Sequence, residues 1–216
     1  MPILARDTDL YPEGFLDRPE VERAEVSAWW ALYTLSRREK ELMRRLLAME
    51  IPFYAPLIAR QHRSPSGRPR TSYVPLFSGY VFVFGGDEHR RQALTSNCVS
   101  RWLPVPDSGQ LTRDLRQIHR LIECGAPLSP EARLERGNPV RVRSGPFQGL
   151  EGSIIKRLDQ VRLLVSVRFL QQGASLLIED YQLERLDEGP KTGTDASKTG
   201  SRSCFLGRVC ATNGSY

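Results

Sequence analysis

From Ala28 the chain alternates Trp30, Leu32 and Thr34 with Trp29, Ala31, Tyr33 and Leu35. Both faces are largely apolar, as a central strand requires. Ser36-Arg37-Arg38-Glu39 fits a capping box, and Leu42, Met43, Leu46, Leu47 and Met49 then share one helical face. Pro52 ends that helix. Phe53 to Gln61 and Arg70 to Val74 read as strands of a protruding hairpin, joined by a turn rich in Pro, Gly and Arg. Gly79 to Phe84 forms a second buried strand, in which parity separates Tyr80, Phe82 and Phe84 from Val81 and Val83 without saying which face helices cover. Asp87 caps a short helix to about Leu94, and Val99 to Val105 is another strand. Thr112 caps a third helix with Leu115, Ile118, Leu121 and Ile122 on one face and Gly125 at its left-handed end.

Past this point the pattern becomes purely β. Val140 and Val142, Ile154-Ile155, Val161 to Phe169, Leu176 to Ile178 and Tyr181 to Leu186 supply five short strands between turn residues, the pattern of a small SH3-like barrel. The expected organisation is a flexible leader over residues 1–26, an α+β domain over 27–125, a linker over 126–136, a five-stranded barrel over 137–187 and a disordered tail over 188–216.

The 216 residues are 40% apolar and 26% charged, ordinary for a globular chain. A formal charge of +6 favours an anionic partner, because clustered cations release counterions from phosphate. Four cysteines in no Cys-x-x-Cys pair, with no signal-peptide core and no transmembrane run, point to a reducing cytoplasm without structural disulfide or zinc. His62, His89 and His119 stand apart, and no nucleophile elbow or phosphate loop occurs, so no catalytic residue and no cofactor is expected.

Arg141 to Gly152, a strand, a Gly-rich turn and a second strand, resembles the KOW motif. Trp29-Trp30-Ala31-Leu32-Tyr33-Thr34 and Pro75 to Val83 resemble two signature strands of the NusG N-terminal domain. Together they resemble the NusG family of transcription elongation and antitermination factors over roughly residues 28–187. The resemblance implies an antiparallel sheet flanked by helices that docks on the clamp helices of RNA polymerase, followed by a KOW barrel that recruits a second partner. Phe77-Ser78-Gly79-Tyr80 departs from the Pro-Gly-Tyr of general NusG proteins and lies closer to specialised RfaH-like paralogues.

By this resemblance Tyr33, Tyr80 and Phe82 would line the polymerase-docking depression. Arg60, Arg63, Arg68 and Arg70 at the hairpin, extended by Arg37, Arg38 and Arg45, would face upstream DNA, the non-template strand or an acidic surface. His89, Arg90 and Arg91 would meet the polymerase gate loop, and Phe169 with Leu170 would contact NusE or Rho. The protein would act as a monomer, away from membranes. A ribosome-associated or RNA-binding KOW protein is the alternative, since KOW barrels also occur in ribosomal proteins.

Overall fold

The structure is a computed structural model that describes residues 6–22, 28–63, 67–132, 137–157, 160–177 and 183–186. The expected disordered tail lies outside the described residues.

In the leader, Leu10–Tyr11 forms strand β1, Phe15–Asp17 a 3-10 turn and Pro19–Glu22 a short helix α1. A segment expected to lack sustained structure is instead anchored by Phe15, Leu16 and Val21, all buried. Sparse apolar residues sufficed because each meets an existing hydrophobic surface. Strand β2 (Ala28–Thr34), helix α2 (Glu39–Ala48), strands β3 (Phe53–Tyr54), β4 (Leu57–Arg63), β5 (Pro69–Pro75) and β6 (Tyr80–Gly85), helix α3 (Asp87–Leu94), strand β7 (Val99–Pro104) and helix α4 (Ser108–Glu123) follow. The first sheet is antiparallel in the order β1-β3-β6-β2-β7, while β4 and β5 form a separate two-stranded ribbon.

Each face of this sheet has its own cover. Leu32, Phe53, Val81 and Val83 pack under Leu42, Met43 and Leu46 of α2 and Ala93 of α3. Trp29, Ala31, Tyr54, Phe82 and Phe84 pack under Leu111, Leu115 and Ile118 of α4 and the leader's Phe15. Burial of so many large side chains, each worth roughly 1.5–3 kcal/mol, is the main support of the layer.

None of the three expected caps is observed: α3 takes Gly86 as its N-cap without a side-chain bond, and Asp87 lies inside its first turn. α4 starts four residues before Thr112, because the Asp107 side chain accepts the Gln110 N–H at 2.8 Å. Thr112 lies inside the helix, where its Oγ1 accepts the Trp29 indole N–H at 2.9 Å. The Ser36 to Glu39 capping box is absent: Arg38 is the N-cap without a side-chain bond, and Glu39 Oε1 accepts the Gly79 N–H at 2.8 Å. Met49, expected on the α2 apolar face, is past the last helical turn and 39% exposed.

A second antiparallel sheet contains β8 (Ser129–Glu131), β9 (Asn138–Val142), β10 (Glu151–Arg157), β11 (Gln160–Val167), β12 (Gln172–Leu177) and β13 (Leu183–Arg185), in the order β13-β9-β10-β11-β12-β8. All five expected strands are present. The stretch read as linker contributes the sixth, β8, paired to β12 through Ser129↔Ser175 and Glu131↔Gly173. Among the described residues no pairing joins β13 to β8 or β12, so the expected small barrel is not seen to close. Gly152 is required by close approach: a Cβ there would stand 2.5 Å from the Leu164 carbonyl oxygen.

Helix α4 joins the two layers. One side carries Thr112 against Trp29 and His119 against Tyr54, whose rings meet edge to face at 5.5 Å. On another side Asp114 Oδ2 accepts the Arg168 N–H at 2.9 Å and Gln117 Oε1 accepts the Glu151 N–H at 2.8 Å. α4 is amphipathic, so its apolar stripe of Leu111, Leu115, Ile118 and Leu121 supplies the buried packing while the polar Asp114 and Gln117 make these bonds to the second layer.

Candidate functional site

Tyr33 on β2 stands directly opposite Tyr80 on β6 and Arg101 on β7. The tyrosine rings meet edge to face at 5.1 Å, and the Arg101 guanidinium lies 4.7 Å over the Tyr33 ring. Both tyrosines are half-buried and Arg101 is exposed. This row ends the sheet face beyond the reach of α4. Gly79 adopts φ 81°, and its α-carbon lies so near Tyr33 that a Cβ would approach the ring to 3.0 Å. Glycine there allows the turn to fold against the ring.

Phe82 shares this face but not this exposure. It is 0% exposed, with the rings of Phe77 and Trp29 edge to face at 6.3 and 6.5 Å. Parity with Tyr80 suggested a contact residue; α4 and the leader, illegible as covers in the sequence, close it off.

The strand expected over Phe53 to Gln61 is split, Phe53–Tyr54 joining the first sheet while Leu57–Arg63 pairs with β5 as the basic hairpin, whose register divides the cations between two faces. Arg60 pairs with Ser72 and His62 with Arg70 on one face; Gln61 pairs with Thr71 and Arg63 with Pro69 on the other. Arg60, Arg63 and Arg70 form no ion pair with a described residue, and all are exposed. Arg68 is likewise exposed. On α2 the charges are compensated: Glu41 meets Arg38 at 3.3 Å and Arg45 at 2.8 Å, and both arginines hold its carboxyl below the usual range. Arg37 is exposed and left-handed at φ 59°.

The α3 residues separate. The His89 ring lies against Gly85, with its Nδ1 sealed and unpartnered. Arg90 folds over Trp102 and Trp30, at 4.3 and 5.2 Å from the ring centroids, and its Nε donates to Asp87 at 2.8 Å. Arg91 projects outward, paired with Asp87 at 2.7 Å. Sequence reasoning missed Trp102 altogether. It lies on edge strand β7, 39% exposed, where Leu32↔Trp102 pairing puts it beside Trp30.

Phe169 and Leu170 fall in a 3-10 turn, Arg168–Leu170, and both are half-buried. Phe169 lines a cavity of about 250 Å³ with Val105, Pro106 and Leu111, side chains outside the second sheet. The turn is tied down by the buried Asp114, whose carboxyl burial pushes up, an effect opposed by the Arg168 N–H and the Gln110 amide.

Antiparallel sheets, a helix shared between them and a projecting basic ribbon define a mixed α/β protein whose exposed features are an aromatic step and a set of cations. Residues 27–129, which hold strands β2 to β7 and helices α2 to α4, match the family described as "Transcription termination factor nusG". That segment is a NusG-family domain. No protein of curated function matches it. Among solved structures, a chain of "Crystal Structure of MjSpt4:Spt5 complex conformation B" is similar at 17% identity, covering 73% of this chain and 97% of that one. Its TM-score of 0.26 is too low to carry an argument. Among the described residues no helix is long and apolar enough to cross a membrane.

Proposed function

We propose that the protein is a non-enzymatic transcription elongation factor that binds RNA polymerase across the clamp, suppresses pausing and termination, and recruits a second partner through a KOW module. The observation that carries this reading is the Tyr33-Tyr80-Arg101 step, an accessible aromatic edge within the segment that matches the NusG family. An amphipathic helix pair buries well against large rigid aromatics, which serve as interface hot spots worth about 2 kcal/mol or more. Phe82, two residues along β6 on the same face, is buried against Phe77 and Trp29.

Residues 27–125 form the polymerase-binding domain in this reading, and 137–187 the KOW module, with 126–136 between them. The hairpin cations approach upstream or non-template DNA, with Arg37 extending that surface. Arg91 is the α3 residue best placed for the gate loop. NusE or Rho engages Phe169 and Leu170, which requires their turn to leave α4. The compartment is the cytoplasm.

Co-purification of the tagged full chain from cells tests the proposal against the alternative of a ribosome-associated KOW protein. Polymerase subunits in stoichiometric amount are expected. Sedimentation with ribosomes and no polymerase would transfer the protein to the other class.

A further inference from the structure

Arg101 lies directly opposite Tyr33 on the edge strand β7, with its guanidinium 4.7 Å over the Tyr33 ring. The neighbouring helices answer their own cations. On α2, Lys40 and Arg44 meet Asp7 at 3.2 and 2.8 Å and Arg45 meets Glu41 at 2.8 Å; on α3, Arg90 and Arg91 share Asp87. Among the described residues no carboxylate meets Arg101. It is exposed, so water solvates its charge in the free protein.

The step that carries Arg101 is fixed in shape. Gly79 donates its N–H to Glu39 Oε1 at 2.8 Å and accepts the Thr34 N–H at 2.8 Å, so the turn before Tyr80 is tied to α2 and β2 at once. Tyr80 then meets Tyr33 edge to face at 5.1 Å. A helix that covers Tyr33 also covers the guanidinium lying on its ring and takes that group out of water. A guanidinium desolvated without a partner opposes binding, whereas one met by a carboxylate in the plane of its N–H groups favours it. The same contact rejects an apolar helix that is neutral or basic at that point.

We propose that Arg101 sets the specificity of the aromatic step by pairing with a carboxylate on the docking helix, one placed beside the apolar side chains that cover Tyr33 and Tyr80. The proposal rests on reading the step as the polymerase-docking surface, and binding by the wild type checks that reading separately.

The affinity of the full chain for purified core RNA polymerase is measured for wild type, Arg101→Lys, Arg101→Gln and Arg101→Glu. Arg101→Lys keeps the charge without the planar fork and should lose about threefold, Arg101→Gln about tenfold and Arg101→Glu about 100-fold. Added salt should narrow the gap between wild type and Arg101→Glu. All three variants should melt with the wild type, because the side chain is exposed on an edge strand. A merely structural arginine would not produce this order, since lost packing on Tyr33 lowers Arg101→Gln and Arg101→Glu alike. Equal losses in those two, or wild-type affinity in all three, would overturn the pairing and leave the docking surface in place. Failure of the wild type to bind polymerase would overturn the docking reading and the pairing with it.

Discussion

Strands β2 and β6 run side by side from a sealed end to an open one, and the two ends carry the same kind of side chain to opposite outcomes. At the sealed end Trp29 and Phe84 pair across the strands, meet Phe15 of the leader edge to face and lie under α4. At the open end Tyr33 and Tyr80 pair in the same way, yet their cover is a single arginine, and both stay half-buried. Phe82 lies between them and belongs wholly to the sealed end. The difference teaches that alternation assigns a residue to a face, while the elements packed on that face decide between core and contact.

The largest effect should come from the sealed side of this boundary. Phe82→Ala is expected to cost about 3–5 kcal/mol and a clear drop in melting temperature, since it empties a volume between Phe77 and Trp29. Tyr80→Ala, one step toward the open end, should cost only about 1–2 kcal/mol and leave the circular dichroism spectrum intact. Equal destabilisation by the two variants in a thermal melt would erase the distinction.

The hairpin sharpens the comparison, because it has two exposed faces of unequal charge. Arg60→Gln with Arg70→Gln removes two cations from one face; Arg63→Gln with Arg68→Gln also removes two, without emptying that face. The first pair should weaken association with a transcription complex more than the second and lower the salt dependence by about two counterions. Matching losses from both pairs would show that total charge, not one face, matters.

Asp114 gives the smallest effect. Burial raises its folded-state pKa above the ordinary 3.8, so its favourable share of stability is full below that value and is lost as pH rises through the raised one. Asp114→Asn keeps an acceptor for the Arg168 N–H but cannot ionise. The difference in melting temperature between wild type and variant should therefore change across that acidic window and stay flat above it. A difference constant throughout would remove Asp114 from the linkage.

Much of the layer plan was legible in the sequence, because long strands and helices announce their period. The alternation at Trp29 to Thr34 and the five β segments found their elements. What failed was short-range competition. Asp107, five residues earlier, displaced Thr112 as the cap, and Glu39 preferred the Gly79 amide to its own helix. The leader and β8 were missed because two or three residues can pair with an existing strand edge without any period of their own. At the site, the resemblance grouped Tyr33 and Tyr80, whereas their cross-strand pairing, the Arg101 stack and the Trp30-Trp102-Arg90 cluster depend on strand order, which no local pattern encodes.

The most direct test of the open end as a docking surface is the affinity of the full chain for purified core RNA polymerase, measured for wild type, Tyr33→Ala and Tyr80→Ala. Each tyrosine variant is expected to lose about 30-fold or more in affinity while retaining a cooperative melt. Wild-type affinity in both well-folded variants would contradict the account and place polymerase binding, if present, elsewhere on the molecule.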